Sequence, residues 1–185
     1  MRKEITAVAW IVFVLLVLAA AGVSAGPEED YEKGRDAYLK DDVVRAMGLL
    51  EASAAEGYTP AQVLLAEILD KAEEDGRAFE LYTAAAANGS AAAELGLGGM
   101  YASGEGVERD YDEARMWITR SAEQGHGPAM VLLAVAYQQG KLGLEVDPDK
   151  AKEWLEKAAA SGYEPARQRL DPDGEGAARA GSDGE

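Results

Sequence analysis

The apolar positions of this chain recur at three- and four-residue steps, in short blocks separated by glycine, which is the spacing of amphipathic helices and not of strands. Ala114, Trp117, Ile118, Ser121 and Ala122 make one such stripe, and Ala151, Trp154, Leu155, Ala158 and Ala159 make another. Ala129, Leu132, Leu133, Ala136 and Tyr137 make the stripe of the helix between them. Four glycines, Gly57, Gly89, Gly125 and Gly162, stand in one recurring context. Small residues lie just upstream of each (Ser53-Ala54, Ala85-Ala86, Ser121-Ala122, Ala158-Ala159). Farther upstream is an alanine (Ala46, Ala78, Ala114, Ala151), and downstream another (Ala61, Ala93, Ala129, Ala166). The glycines are 32, 36 and 37 residues apart, a period at which self-similarity means stacked supersecondary units.

Each unit therefore reads as two helices. The glycine supplies the left-handed residue that stops the second helix, and Pro60, Pro128 and Pro165 suit the first turn of the next one. The alanines let helix axes approach closely, since larger side chains there would force them apart. The expected fold is all-α, a right-handed α/α solenoid of about four helix pairs. The repeats are expected over residues 28–60, 61–91, 92–127 and 128–170, the last with the start of a capping helix.

The stretch with Ala93, Leu97-Gly98, Tyr101, Gly104-Glu105-Gly106-Val107, Asp110, Ala114, Trp117 and Ser121-Ala122-Glu123-Gln124-Gly125 resembles a Sel-1-like repeat, a variant of the tetratricopeptide repeat. The next unit, with Ala134, Tyr137, Gly140, Asp149, Ala151, Trp154 and Ala158-Ala159, is similar, but Leu142-Gly143 replaces the Gly-Val pair. The first two units lack this loop insertion and look closer to plain tetratricopeptide units. The resemblance implies adaptor or scaffold roles in complexes of the bacterial envelope.

At the N-terminus, Arg2 and Lys3 precede an apolar run from Ala7 to Ala21, and Val23-Ser24-Ala25 offers the small residues a signal peptidase reads. Residues 1–25 are thus expected to be an export signal, placing the repeats in the periplasm. The alternative is an uncleaved inner-membrane anchor, because Ile5 to Val23 approaches the ~20 apolar residues that span a bilayer. In that case the N-terminal segment is the protein's one attachment to a membrane. With no cysteine, the helix pairs are without disulfides and rest on packing.

The formal charge of −16 disfavours nucleic acid and anionic lipid as partners. Residues 171–185 are acidic and small, and an ordered structure is not expected there. Asp171, Asp173, Glu175 and Gly176 match the first positions of a calcium loop, but Ser182 stands where the bidentate carboxylate belongs, so no metal is expected.

Catalytic chemistry is sparse. His126, the single histidine, follows Gly125 where Tyr58, Ser90 and Tyr163 stand in the other units, and reads as a turn residue. Trp117 and Trp154 correspond to Leu49 and Leu81 and read as core. Gly104-Glu105-Gly106 lacks the strand and third glycine of a dinucleotide site. The chain is accordingly expected to be a non-enzymatic module without a cofactor, holding a protein or peptide partner on the concave face of the array. The candidate residues there are Val63, Glu67 and Asp70; Leu95, Gly99 and Ser103; and Val131, Val135, Gln138 and Gln139. Val131 and Val135 are left over once Leu132, Leu133, Ala136 and Tyr137 are assigned to packing. The competing reading is a glycan-binding or glycan-processing envelope protein, with Glu67 and Asp70 as the carboxylates.

Overall fold

The computed structural model describes residues 26–170. The proposed export signal or anchor, and the acidic tail with its calcium-loop spacing, lie outside the described residues. Among these, every regular element is an α-helix. Contacts divide the chain into two units at Ala61–Gln62.

The first unit holds α1 (Pro27–Leu39) and α2 (Val43–Ala55), packed as an antiparallel pair. Gly34 of α1 makes the approach possible, because a Cβ there would meet Leu50 Cγ at 2.9 Å. The Ser53 hydroxyl of α2 donates to the Pro27 carbonyl at the start of α1 (2.5 Å). Helix α3 (Thr59–Lys71) carries the chain into the second unit.

That unit continues with α4 (Asp75–Ala87), α5 (Ala91–Ser103), α6 (Tyr111–Glu123), α7 (Gly127–Gln139), α8 (Pro148–Ala160) and α9 (Glu164–Leu170). The pairs α5/α6 and α7/α8 pack internally, and α4/α5, α6/α7 and α8/α9 pack in succession. Gly98 of α5 lies so close to α6 that a Cβ would meet Ile118 Cγ1 at 2.4 Å. Ser121 Oγ of α6 donates to the Ala91 carbonyl at the start of α5 (2.6 Å), the same bond that Ser53 makes in the first unit.

The four repeat glycines do end helices. At Gly125 (φ 88°), the glycine N–H donates to Ala122 O and the next N–H to Ser121 O, a Schellman closure that Gly57, Gly89 and Gly162 repeat. Within the repeats the turn differs by length. The short turns place Asp41 (φ 63°) and Glu73 (φ 60°) in the left-handed region. The longer loops use Gly104 and Gly106, then Gly140, Leu142 and Gly143. Gly106 seats its loop against α4, where a Cβ would meet the Asp75 carbonyl oxygen at 2.7 Å. In the next repeat Arg115 Nη1 donates to Leu142 O (2.6 Å), holding the corresponding loop on α6.

An aspartate caps the second helix in three repeats. Asp42 accepts from Arg45 N, Asp110 from Asp112 N and Glu113 N, and Asp147 from Lys150 N. Asp147, not Asp149, is therefore the counterpart of Asp110; Asp149 sits in the first turn of α8. The bond from Lys150 N holds the Asp147 carboxyl below its ordinary range.

Both alanine columns are buried, from Ala46 through Ala151 and from Ala61 through Ala166. The large core positions differ from the sequence expectation in two places. Trp117 and Trp154 are half-buried like Leu49 and Leu81, while the next residue forms the buried column: Leu50, Tyr82 and Ile118. In α7, Leu132 is 37 % exposed, and Met130, Leu133, Ala134 and Ala136 are the buried residues. Val131, which the sequence leaves without an assigned packing role, packs in part against the core of Ile118, Met130 and Leu133. Helix α7 is apolar nearly all round, so periodicity alone leaves its rotation undetermined.

Candidate interaction surface

All of the candidate residues fall in the second unit, on the first helix of each pair. On α3, Val63 is half-buried, Glu67 is exposed and Asp70 is half-buried. Glu67 and Asp70 stand three residues apart on α3, and the hydroxyl of the buried Tyr82 of α4 is pushed up by burial and then by the charge of both carboxylates. Partial desolvation of its carboxyl, although the residue as a whole is exposed, raises Glu67, with Lys71 opposing and Asp70 adding. Burial likewise raises Asp70, reinforced by Glu105 and Asp75. Both carboxyls thus move in the same direction. Among the described residues no group of three or more acidic or histidine side chains is arranged to hold a metal ion.

On α5, Leu95 packs in part against the core, whereas Gly99 and Ser103 are exposed. A Cβ at Gly99 would meet nothing within 4 Å. The Ser103 hydroxyl is engaged at the end of its helix, close to Met100 O (3.3 Å) and Glu105 Oε2 (2.7 Å). On α7, Val135 is half-buried and Gln138 and Gln139 are exposed. Val135 and Gln138 line a groove of about 190 Å³ together with Ala134, Leu155 and Arg169. The last two were not anticipated. The signal for them was present: every large residue seven positions before the repeat glycine is buried until Leu155.

His126 has a structural bond. Its Nδ1 lies 3.1 Å from Ser121 Oγ, and since that hydroxyl's one proton points to Ala91 O, Nδ1 is the donor. This arrangement cannot activate the serine. Burial lowers the imidazole's pKa, which favours the neutral ring.

A second buried polar group ties α5 to α6. Glu94 is fully buried, with Gln124 Nε2 donating to Oε2 (2.5 Å) and Arg120 Nε 2.7 Å from Oε1, an ion pair without hydrogen-bond alignment. Arg120 also covers the Trp117 ring at 5.6 Å. In the first unit, Lys33, Asp36, Lys40, Asp42 and Arg45 line a cleft of about 490 Å³ with charges of both signs.

The family model for the Sel1 repeat matches residues 22–58, 60–90, 91–126 and 127–163. The chain belongs to the Sel1 repeat family. The match includes the first two units, whose short turns therefore mark them as shortened Sel1 repeats and not plain tetratricopeptide units. Among curated relatives, the chain is 32 % identical over 122 residues to the ERAD-associated E3 ubiquitin-protein ligase component HRD3A of Arabidopsis thaliana, covering 57 % of this chain and 18 % of that protein. It is 31 % identical over 118 residues to the chitin synthase regulator SKT5 of Saccharomyces cerevisiae, covering 60 % and 17 %. The chain thus spans under a fifth of the length of these relatives. Among solved structures it is similar to c5321, a protective antigen of uropathogenic Escherichia coli with an SLR fold, at TM-score 0.68 and 31 % identity, covering 84 % of this chain and 35 % of that one. A Sel1 repeat protein from Oxalobacter formigenes follows at TM-score 0.67 and 25 % identity, covering 78 % and 44 %.

Proposed function

We propose that this chain is a non-enzymatic scaffold of the bacterial envelope that holds a protein partner on the first-helix face of its third and fourth repeats. The observation that carries the reading is the array itself, four Sel1 repeats, together with its similarity to proteins named as a ligase component and a synthase regulator. Gly99, Gln138 and Gln139 leave part of this face free of packing duty. The envelope location rests on Arg2-Lys3, the apolar run and Val23-Ser24-Ala25. Glycan processing is less favoured, because acid–base work needs one carboxyl raised and its partner kept ionised, whereas burial raises both Glu67 and Asp70.

The test is capture from envelope extract with identification by mass spectrometry, comparing the parent with Gly99→Glu/Gln139→Glu. Replacing a mid-helix glycine with glutamate raises helix propensity by roughly 0.5–1 kcal/mol, so the variant should melt no lower than the parent. It should nonetheless lose the captured protein. Undiminished capture would remove this face from the interaction.

A further inference from the structure

We propose that the C-terminal end of the array is a docking groove for one amphipathic helix of a partner protein, which occupies the place of the second half of a first helix. The inference deepens the scaffold reading and rests on it.

Two repeat columns carry the argument. Eight residues after each repeat glycine stands a leucine: Leu65, Leu97 and Leu133 are 2 %, 1 % and 2 % exposed, but Leu170 is 38 % exposed. Seven residues before each glycine, Leu50, Tyr82 and Ile118 are buried, while Leu155 is only half-buried. The cause is visible in the helices. The first helices α1, α3, α5 and α7 each run 13 residues, whereas in the last repeat the sequence after Leu170 reads Asp171-Pro172, and a residue before proline is biased away from the helical region. What is uncovered is the groove between Ala134, Val135, Gln138, Leu155 and Arg169.

The repeats themselves say what fits there. In complete repeats the next turn brings Ile68-Leu69, Met100-Tyr101 or Ala136-Tyr137; in the last, the same positions are Asp173 and Gly174, which cannot supply apolar contact. A second copy is disfavoured by the net charge of −16 on each chain. Charge then selects the partner. Arg167 is engaged with Glu164 and the Ala159 carbonyl, but Arg169, exposed on the groove wall, has no acidic partner among the described residues. The occupant is therefore a helix with an apolar pair at adjacent positions of one turn, one carboxylate placed for Arg169, and basic residues on its outer face.

The probe is a fluorescent, lysine-rich helical peptide carrying leucine, alanine and tyrosine at the spacing of Leu133, Ala136 and Tyr137, with a single glutamate, titrated into the full chain by anisotropy. Saturable binding is expected. It should weaken at least tenfold with Leu155→Lys and severalfold with Arg169→Glu, and the second loss should be recovered when the peptide's glutamate becomes lysine. The exposed Arg169→Glu change keeps the test decisive even where Leu155→Lys perturbs folding. No saturation, or charge reversal without recovery, overturns the proposal. Binding that emerges only after residues 171–185 are removed would assign the groove to the chain's own tail. A dimer in sedimentation that Leu155→Lys dissociates would assign it to a second copy. Gly99→Glu should bind the peptide like the parent, so the groove and the scaffold face can fail separately.

Discussion

At the scale of single residues, the backbone decides more than the available space. A Cβ at Gly125 would meet nothing within 4 Å, yet φ is 88°, a conformation that costs an L-residue about 1–2 kcal/mol. Gly125→Val should therefore lower stability by at least that amount, read as a shift of the denaturation midpoint. The converse applies at Glu73, exposed at φ 60° in a turn without glycine. Relief of a left-handed strain of about 1–2 kcal/mol outweighs the roughly 0.5–1 kcal/mol of added chain entropy, so Glu73→Gly should stabilise by about 0.5–1 kcal/mol. A midpoint that does not rise would mean the turn relaxes without strain. The four repeat glycines were legible in the sequence because the residue type announces the dihedral. Glu73 and Leu142 were not, since nothing in their chemistry signals a positive φ, and Asp41, of a type that tolerates this region, is only one of many aspartates in the chain.

At the scale of helices, the repeat pattern made the described helix pairs legible but did not orient all of their helices. Helix α7 is covered on several sides, so its apolar residues do not phase it: Leu132, assigned to packing, is 37 % exposed, while Val131 is half-buried. The small residues also carried more than their size: Ser53 and Ser121 bond their own pair's first helix, while Ala85 and Ala158 hold the same place without that bond. Ser121→Ala should cost about 1 kcal/mol, the net worth of a buried hydrogen bond. The bonded His126 adds a pH dependence. Its pKa is lowered in the folded chain, so the unfolded chain binds the proton more readily, and the contribution is complete above the ordinary value of 6.5 and lost as pH falls through the folded value. Between pH 7 and 5 the parent should lose melting temperature relative to His126→Tyr, the residue found at this place in two other repeats. Parallel curves would show that the ring is solvated as well in the fold as out of it.

At the scale of the molecule, the number and order of helix pairs was legible because each repeat restates the same residues, whereas the groove at Leu155 and Arg169 was not, because it arises where the restatement stops. Charge is the property that belongs to the whole chain. Its 34 acidic and 18 basic residues leave a formal −16, and among the described residues most of the ion pairs are exposed pairs three or four residues apart. Such pairs contribute about 0–1 kcal/mol each and weaken in salt, whereas the repulsion among the surplus carboxylates acts over the whole surface and is also screened within ~10 Å at 0.1 M. The two effects oppose one another, and the surplus is the larger, because the pairs are few and individually weak while every unpaired carboxylate feels the common field. Raising sodium chloride from about 10 mM to about 300 mM, a change that shortens the screening length severalfold, should therefore raise the melting temperature. A fall would mean that the partly shielded Arg120–Glu94 contact and the helix-surface pairs outweigh the net charge, and the solvent-facing carboxylates would then have to be counted as structural.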